Sequence, residues 1–208
     1  MQGEGRPGVL LEAGTDYGGT EVYPAAFVDP LVARTRVCTY DRLGTGRSDP
    51  PAYRRRTMRD LCAVQDQVLA KLQLRTPYVL VGESRGGNVN IGCAARHPDR
   101  VAGLVTIDSP HDHPDVLRKK GLVWTDNREF VDYVDNSEEL ETLTVPIGDF
   151  RVLVITPREN DPGGEVNQGF WLYLSPNSRQ VTIDGPHHLH AVASEELLTE
   201  ILKELGSL

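Results

Sequence analysis

Apolar positions along this chain gather into short continuous runs, separated by stretches in which they recur with helical period. The runs are Val9-Leu10-Leu11, Val37-Cys38-Thr39-Tyr40, Tyr78-Val79-Leu80-Val81, Leu104-Val105-Thr106-Ile107 and Val152-Leu153-Val154-Ile155, with a weaker one at Gln180-Val181-Thr182-Ile183. Continuous rather than alternating runs mean that both faces of each strand are covered, the habit of a parallel sheet between helices. In the intervals, Thr57-Met58-Arg59-Asp60 opens a helix with a cap-like pattern, and Leu61, Val64, Val68 and Leu72 follow on one face. Ser194 is read as the cap of the last helix, whose Leu197, Leu198, Ile201, Leu202 and Leu205 form one stripe before Gly206 ends it. The pattern predicts an α/β, doubly wound domain of about six mostly parallel strands, with sites at the carboxyl ends of the strands. No internal repeat or low-complexity linker interrupts it.

Composition narrows the picture without changing it. The chain's 208 residues suffice for one domain spanning 1–208 that buries its apolar surface without metals or disulfides. Against 22 basic residues stand 30 acidic ones, a net charge of −8 that disfavours nucleic acid and anionic membrane as partners. The Arg54-Arg55-Arg56 run is read as a solvated loop. Cys38, Cys62 and Cys93 are odd in number and lack Cys-x-x-Cys spacing, so they are expected to be buried thiols of a reduced, cytoplasmic protein. No apolar stretch is long enough for a membrane span, and residues 1–8 lack the apolar core of a signal peptide.

The chemistry centres on Gly82-Glu83-Ser84-Arg85-Gly86, which joins the third apolar run to a helix closed by His97-Pro98. A serine on so tight a strand-to-helix turn needs neighbours without side chains, hence the two glycines, and its hydroxyl is pushed out at the strand end. The helix N-terminus adds positive potential, and the Arg85 amide points where an oxyanion would form.

Several further stretches resemble the α/β-hydrolase superfamily in order along the chain. Val9 to Gly19 is similar to the family's strand and glycine-rich oxyanion loop, and Asp41-Arg42-Leu43-Gly44-Thr45-Gly46-Arg47-Ser48 to its Asp-x-x-Gly-x-Gly-x-Ser loop. The serine turn follows, then Pro98 to Val105 leading into the next strand, and Gly185-Pro186-His187-His188-Leu189-His190 is similar to the histidine loop before the final helix. The resemblance implies an α/β-hydrolase fold with a small cap at 110–149. Family members carry two antiparallel strands ahead of the first run found here, so the Cys38 strand is expected at an open sheet edge, and two readings stand: a short member of the family, or an edge covered by self-association into a homo-oligomer.

A serine needs a base, and the base an acid, in the chain order Ser, acid, His on this fold. The resemblance makes Ser84 the nucleophile and His187 the base, with His188 as the alternative, and the loop 156–164 supplies Asp161 as the acid, with Asp108 and Glu159 as rivals. The amides of Thr15 and Arg85 would form the oxyanion hole, and Asp16 and Glu83 would make its mouth acidic. The function implied is cleavage of an ester or lactone bond in a small organic substrate through an acyl-enzyme, with no cofactor and no metal. Two other readings remain: a catalytically inactive ligand-binding relative, and a metal-dependent hydrolase, because His111-Asp112-His113-Pro114-Asp115 resembles the His-x-His-x-Asp of metallo-β-lactamase-like enzymes.

Overall fold

Six strands form the sheet of the computed structural model: β1 (Val9–Glu12), β2 (Val37–Thr39), β3 (Tyr78–Glu83), β4 (Val101–Ile107), β5 (Arg151–Pro157) and β6 (Ser178–Ile183), in the spatial order β2-β1-β3-β4-β5-β6. Every pairing is parallel, with Val9 opposite Val79, Gly103 opposite Val79 and Arg151, and Val152 opposite Ser178. The structure describes residues 1–159, 164–192 and 195–207, with backbone alone at 164 and 165. The helices are α1 (Gly19–Val22), α2 (Ala25–Val32), α3 (Met58–Lys71), α4 (Arg85–Arg96), α5 (Pro114–Lys119), α6 (Tyr133–Glu141), α7 (Gly164–Gln168), α8 (Leu189–Val192) and α9 (Glu195–Gly206).

Successive side chains of a strand point to opposite faces, so strands apolar at every position need two cores. On one face Leu10, Leu80, Leu104, Val152 and Val154 meet Met58 and Leu61 of α3, Ile91 of α4 and Trp171. On the other, Val9, Leu11, Val79, Val81, Val105, Ile107, Leu153 and Ile155 meet Phe27 and Leu31 of α2 and Leu197 and Ile201 of α9. Each such side chain, almost fully enclosed, contributes roughly 1.5–3 kcal/mol relative to exposure. The expected helix start at Thr57 is present as a capping box, in which Asp60 accepts from the Thr57 amide at 3.0 Å. Ser194, the expected cap of α9, lies outside the described residues.

The Cys38 strand, β2, stands at the edge as expected, but its outer side is met by the chain itself: Gln2 and Val37 exchange backbone hydrogen bonds of 2.9 and 2.8 Å. The expectation of three reduced thiols is corrected. Cys62 of α3 and Cys93 of α4 form a disulfide, and Cys38 alone is a free, buried thiol. Packing of α3 against α4 brings the two together across 31 residues of sequence, a separation no motif betrays. Disulfides persist in oxidising surroundings, so the argument from reduced thiols to a cytoplasmic site loses its premise. Among the described residues no helix is long and apolar enough to cross a membrane.

Candidate active site

Ser84 sits between β3 and α4 with φ 51 and ψ −127, a left-handed conformation that costs a non-glycine residue roughly 1–3 kcal/mol. Surrounding backbone holds it there. The Ser84 amide donates to the Ile107 carbonyl at 2.8 Å, and the Gly87 amide to the Ser84 carbonyl at 3.1 Å. A Cβ at Gly82 would stand 2.5 Å from the Gly87 nitrogen, and one at Gly86 2.3 Å from the Glu12 carbonyl oxygen. Only glycine permits both approaches, which is how the Gly-x-Ser-x-Gly pattern becomes an exposed hydroxyl at a helix N-terminus.

Asp108, one residue past the end of β4, also has positive φ, at 46. Its amide donates to the Ile155 carbonyl at 2.8 Å and its side chain is buried. The two carboxylate oxygens face different partners: Gln168 Nε2 donates to Oδ1, and His187 Nδ1 donates to Oδ2. Gln168 is itself fixed by Thr156, whose hydroxyl donates to Gln168 Oε1 at 3.0 Å. The carboxylate at His187 Nδ1 is thus Asp108, the rival in the sequence reading, while the preferred Asp161 lies outside the described residues. The rival Glu159 is exposed, two residues past the end of β5. The end of β4 stands beside that of β3, so a carboxylate just past β4 reaches the histidine loop directly.

The adjacent histidines differ in their contacts. His187 takes Asp108, whereas His188 Nδ1 lies 3.1 Å from Glu83 Oε1. His187 Nε2 faces the same Glu83 oxygen at 3.2 Å. Among the described residues Ser84 Oγ makes no hydrogen bond; catalytic contacts are commonly loose in unliganded sites. The hydrogen bond to Asp108 raises the pKa of His187 against the opposing effect of burial, and the Glu83 and Asp108 charges add to the rise. Glu83, wholly buried, is pushed up chiefly by desolvation, with the two histidines pulling the other way. His190 packs against Tyr23 and Phe27.

The loop after β1 is held from behind by Arg42, a residue that the sequence reading placed in a motif but gave no role. Its guanidinium is buried and donates to the Ala13 and Gly14 carbonyls, both at 2.6 Å. It also pairs with Glu12 and Glu129, each at 2.6 Å. Burial alone would lower the pKa of Arg42, but Glu129 and Glu12 outweigh it and hold the group firmly charged. Glu129 in turn accepts from the Asp16 amide at 3.0 Å, so the chain on both sides of Thr15 is anchored. With the carbonyls of 13 and 14 turned inward, the Thr15 and Arg85 amides have no acceptor among the described residues, and both residues line one pocket.

That pocket is narrow, about 30 Å³, and lies beneath the segment 110–149. Tyr133, Asn136, Ser137 and Leu140 of α6 form one wall, and Met58, Leu61, Asn88 and Val89 of α3 and α4 the other. Arg85 pairs with Asp112 at 2.6 Å and lies over the Tyr133 ring, so it does not neutralise Glu83 or Asp16. Burial raises the Tyr133 hydroxyl to about 12, partly offset by a hydrogen bond from Thr15. The histidines of the metal-like motif go separate ways. His111 stacks on Phe170 at 3.8 Å and pairs with Glu141, while His113 caps α5 by accepting from the Asp115 amide. They do not form a ligand set.

A match to the alpha/beta hydrolase fold family covers residues 9–152. A protein of Caulobacter vibrioides named as a candidate carbamate hydrolase, RutD, is 38% identical over 107 residues, which are 50% of this chain and 38% of that protein. A Debaryomyces hansenii protein phosphatase methylesterase is 28% identical over 152 residues, 63% of this chain and 36% of the relative. The aligned part thus spans well under half the length of these curated relatives. Among solved structures, a thermophilic esterase from Thermogutta terrifontis superposes with TM-score 0.75 at 19% identity, covering 99% of this chain and 91% of the esterase. An enol-lactonase from Burkholderia xenovorans does so with TM-score 0.75 at 17% identity, covering 99% and 94%. Sheet order, strained serine turn and family match agree, and the chain belongs to the alpha/beta hydrolase fold family.

Proposed function

We propose that this protein is a serine hydrolase that cleaves an ester or lactone bond of a small organic molecule through an acyl-enzyme. The observation that carries the reading is the Asp108–His187 contact at the carboxyl end of the sheet, where Ser84 stands on its strained turn. In the reaction, His187 Nε2 leaves Glu83 and accepts the Ser84 proton while Asp108 holds Nδ1–H, fixing the tautomer and stabilising the imidazolium. The Ser84 oxygen attacks the carbonyl carbon, and the amides of Thr15 and Arg85 receive the oxyanion. The imidazolium then protonates the leaving alcohol. Water, deprotonated by the same imidazole, releases the acid and restores Ser84. The chain's own residues supply every proton transfer. A fluorophosphonate probe is expected to label Ser84, and Ser84→Ala to lower p-nitrophenyl acetate turnover by about 10⁴-fold or more. Turnover that survives in Ser84→Ala would sink the reading.

A second reading within the same chemistry is a carbamate substrate. Asn88 Nδ2 donates to the Pro110 carbonyl at 3.0 Å, which leaves Asn88 Oδ1 buried at the pocket wall without a donor, and Asn136 Oδ1 is in the same position. A carbamate N–H would satisfy such acceptors where an alkyl ester leaves them unpaired. The resemblance to a candidate carbamate hydrolase points the same way. The comparison to make is kcat/KM for a phenyl carbamate against phenyl acetate in the wild type and in Asn88→Leu. A ratio unchanged by the substitution would remove this reading and leave the ester one standing.

A further inference from the structure

Glu83, His187 and His188 place one ligand atom each within 4.8 Å of one another, a grouping found nowhere else among the described residues. Glu83 Oε1 is 3.2 Å from His187 Nε2 and 3.1 Å from His188 Nδ1. A tetrahedral zinc ion with bonds of about 2.0–2.1 Å holds its ligand atoms about 3.4 Å apart, so both Glu83 separations are already close to that value and the two imidazole nitrogens lie within 4.8 Å of each other. Three details favour a cation over a chance cluster. Asp108 occupies His187 Nδ1 and thereby presents the Nε2 lone pair toward Glu83, the carboxylate–histidine arrangement that orients metal-bound imidazoles. Glu83 is fully buried, and its Oε2 has no hydrogen-bond partner, so its ionised form lacks compensation that a cation would supply. The two imidazoles are 41% exposed at the side chain, leaving a fourth position open toward solvent.

We propose that these three residues bind a divalent transition metal ion of the zinc class, and that the bound ion reversibly inhibits the hydrolase by occupying the His187 lone pair. Two imidazole nitrogens and one carboxylate oxygen suit zinc, cobalt, nickel or copper rather than magnesium or calcium. Binding at the site is independent of the proposed function; the inhibition rests on it, because His187 Nε2 cannot hold a metal and accept the Ser84 proton at once. No bond is made or broken beyond coordination, and a chelator restores the free base.

The test begins with chelator-treated, full-length protein titrated with Co²⁺, followed by its visible absorption, and with Zn²⁺, followed by calorimetry. One saturable site is expected, with affinity lowered at least tenfold in Glu83→Gln and in His188→Ala. His188 is half-exposed, so its variant keeps the test valid should the buried substitution fail to fold. Ser84→Ala, which removes no ligand, is expected to bind the metal as the wild type does. In the active protein, p-nitrophenyl acetate turnover should fall in parallel with Zn²⁺ occupancy and return on adding chelator. Absence of saturable binding, or affinity indifferent to both ligand substitutions, overturns the site. Full occupancy with undiminished turnover overturns the inhibition while leaving the site. A protein that binds Co²⁺ in the expected way but never turns over an ester would count against the hydrolase reading and leave the metal site intact.

Discussion

Two buried charges decide how the site is built. Asp108 engages His187 and Gln168, whereas Arg42 acts on the backbone around Thr15. Replacing Asp108 by Asn keeps the shape but presents an amide where His187 needs an acceptor, and a loss in kcat of about 10⁴-fold is expected, the scale seen when such an imidazole adopts the wrong tautomer. Asp161→Asn should cost far less, because His187 Nδ1 is already engaged; kcat measured for both variants checks the ranking, and a larger loss at Asp161 would reverse the assignment. Arg42→Met leaves Glu12 and Glu129 buried without their cation, a change of about 3–5 kcal/mol in stability. It also frees the Ala13 and Gly14 carbonyls, and kcat should fall by about 10²-fold in the protein that remains folded, as when one oxyanion donor is lost. Arg42→Lys is the informative companion. It keeps the charge but cannot reach two carboxylates and two carbonyls together, so stability should recover more than kcat does. Chemical denaturation read beside steady-state kinetics separates the two effects. The strained turn at Ser84 was legible because Gly82 and Gly86 are written on either side of it. Asp108 was legible only as a rival: two loops offered a carboxylate near proline, and the choice depends on Gln168, sixty positions further on, closing over Asp108 Oδ1.

At the level of elements, α3 shows both what a local pattern reveals and what it conceals. Its start is written in four consecutive residues. Asp60 accepts from the Thr57 amide and hydroxyl and pairs with Arg54 at 2.7 Å, and the Arg54 hydrogen bond outweighs partial burial and holds the Asp60 pKa well below its ordinary value. A carboxylate with a depressed folded pKa contributes stability that is complete above its unfolded pKa, about 3.9, and is lost as pH falls through the folded one. The pair with Arg54 is largely exposed, so solvent screening leaves mainly the cap, worth roughly 1 kcal/mol. Asp60→Asn is therefore expected to lower stability by about that amount at neutral pH and to lose less on acidification below about pH 4. Urea melts of both proteins at two pH values check it; equal losses at both would show that the charge is irrelevant. The partner of α3 was not legible. The Cys62–Cys93 bond depends on which face of α3 meets α4, and that is set by the sheet beneath both helices, since Met58, Leu61 and Ile91 share one core.

The molecule as a whole places its chemistry where the chain reverses direction across the sheet. β1 stands between β2 and β3, so the loops after β1 and β3 part to opposite sides and leave a crevice at the carboxyl ends, which Thr15 and Ser84 flank. The six apolar runs made this sheet foreseeable, yet the size of the crevice was not, because it depends on how closely α6 settles over α3 and α4. At about 30 Å³ the pocket has room for about two waters before anything moves. A short acyl group can enter by displacing them; a long chain must push Leu140 or Met58 out of well-packed positions, both being almost fully buried. Overpacking a core costs about 1–3 kcal/mol, which in kcat/KM is about 5- to 150-fold. Turnover of p-nitrophenyl esters should accordingly fall by at least about fivefold from acetate to octanoate. Leu140→Ala removes the obstruction and should raise the octanoate-to-acetate ratio by a similar factor, while costing about 2–5 kcal/mol of stability. A ratio unmoved by Leu140→Ala, with the variant folded, would mean that acyl chains leave Ser84 by another route and that the wall formed by α6 does not select the substrate.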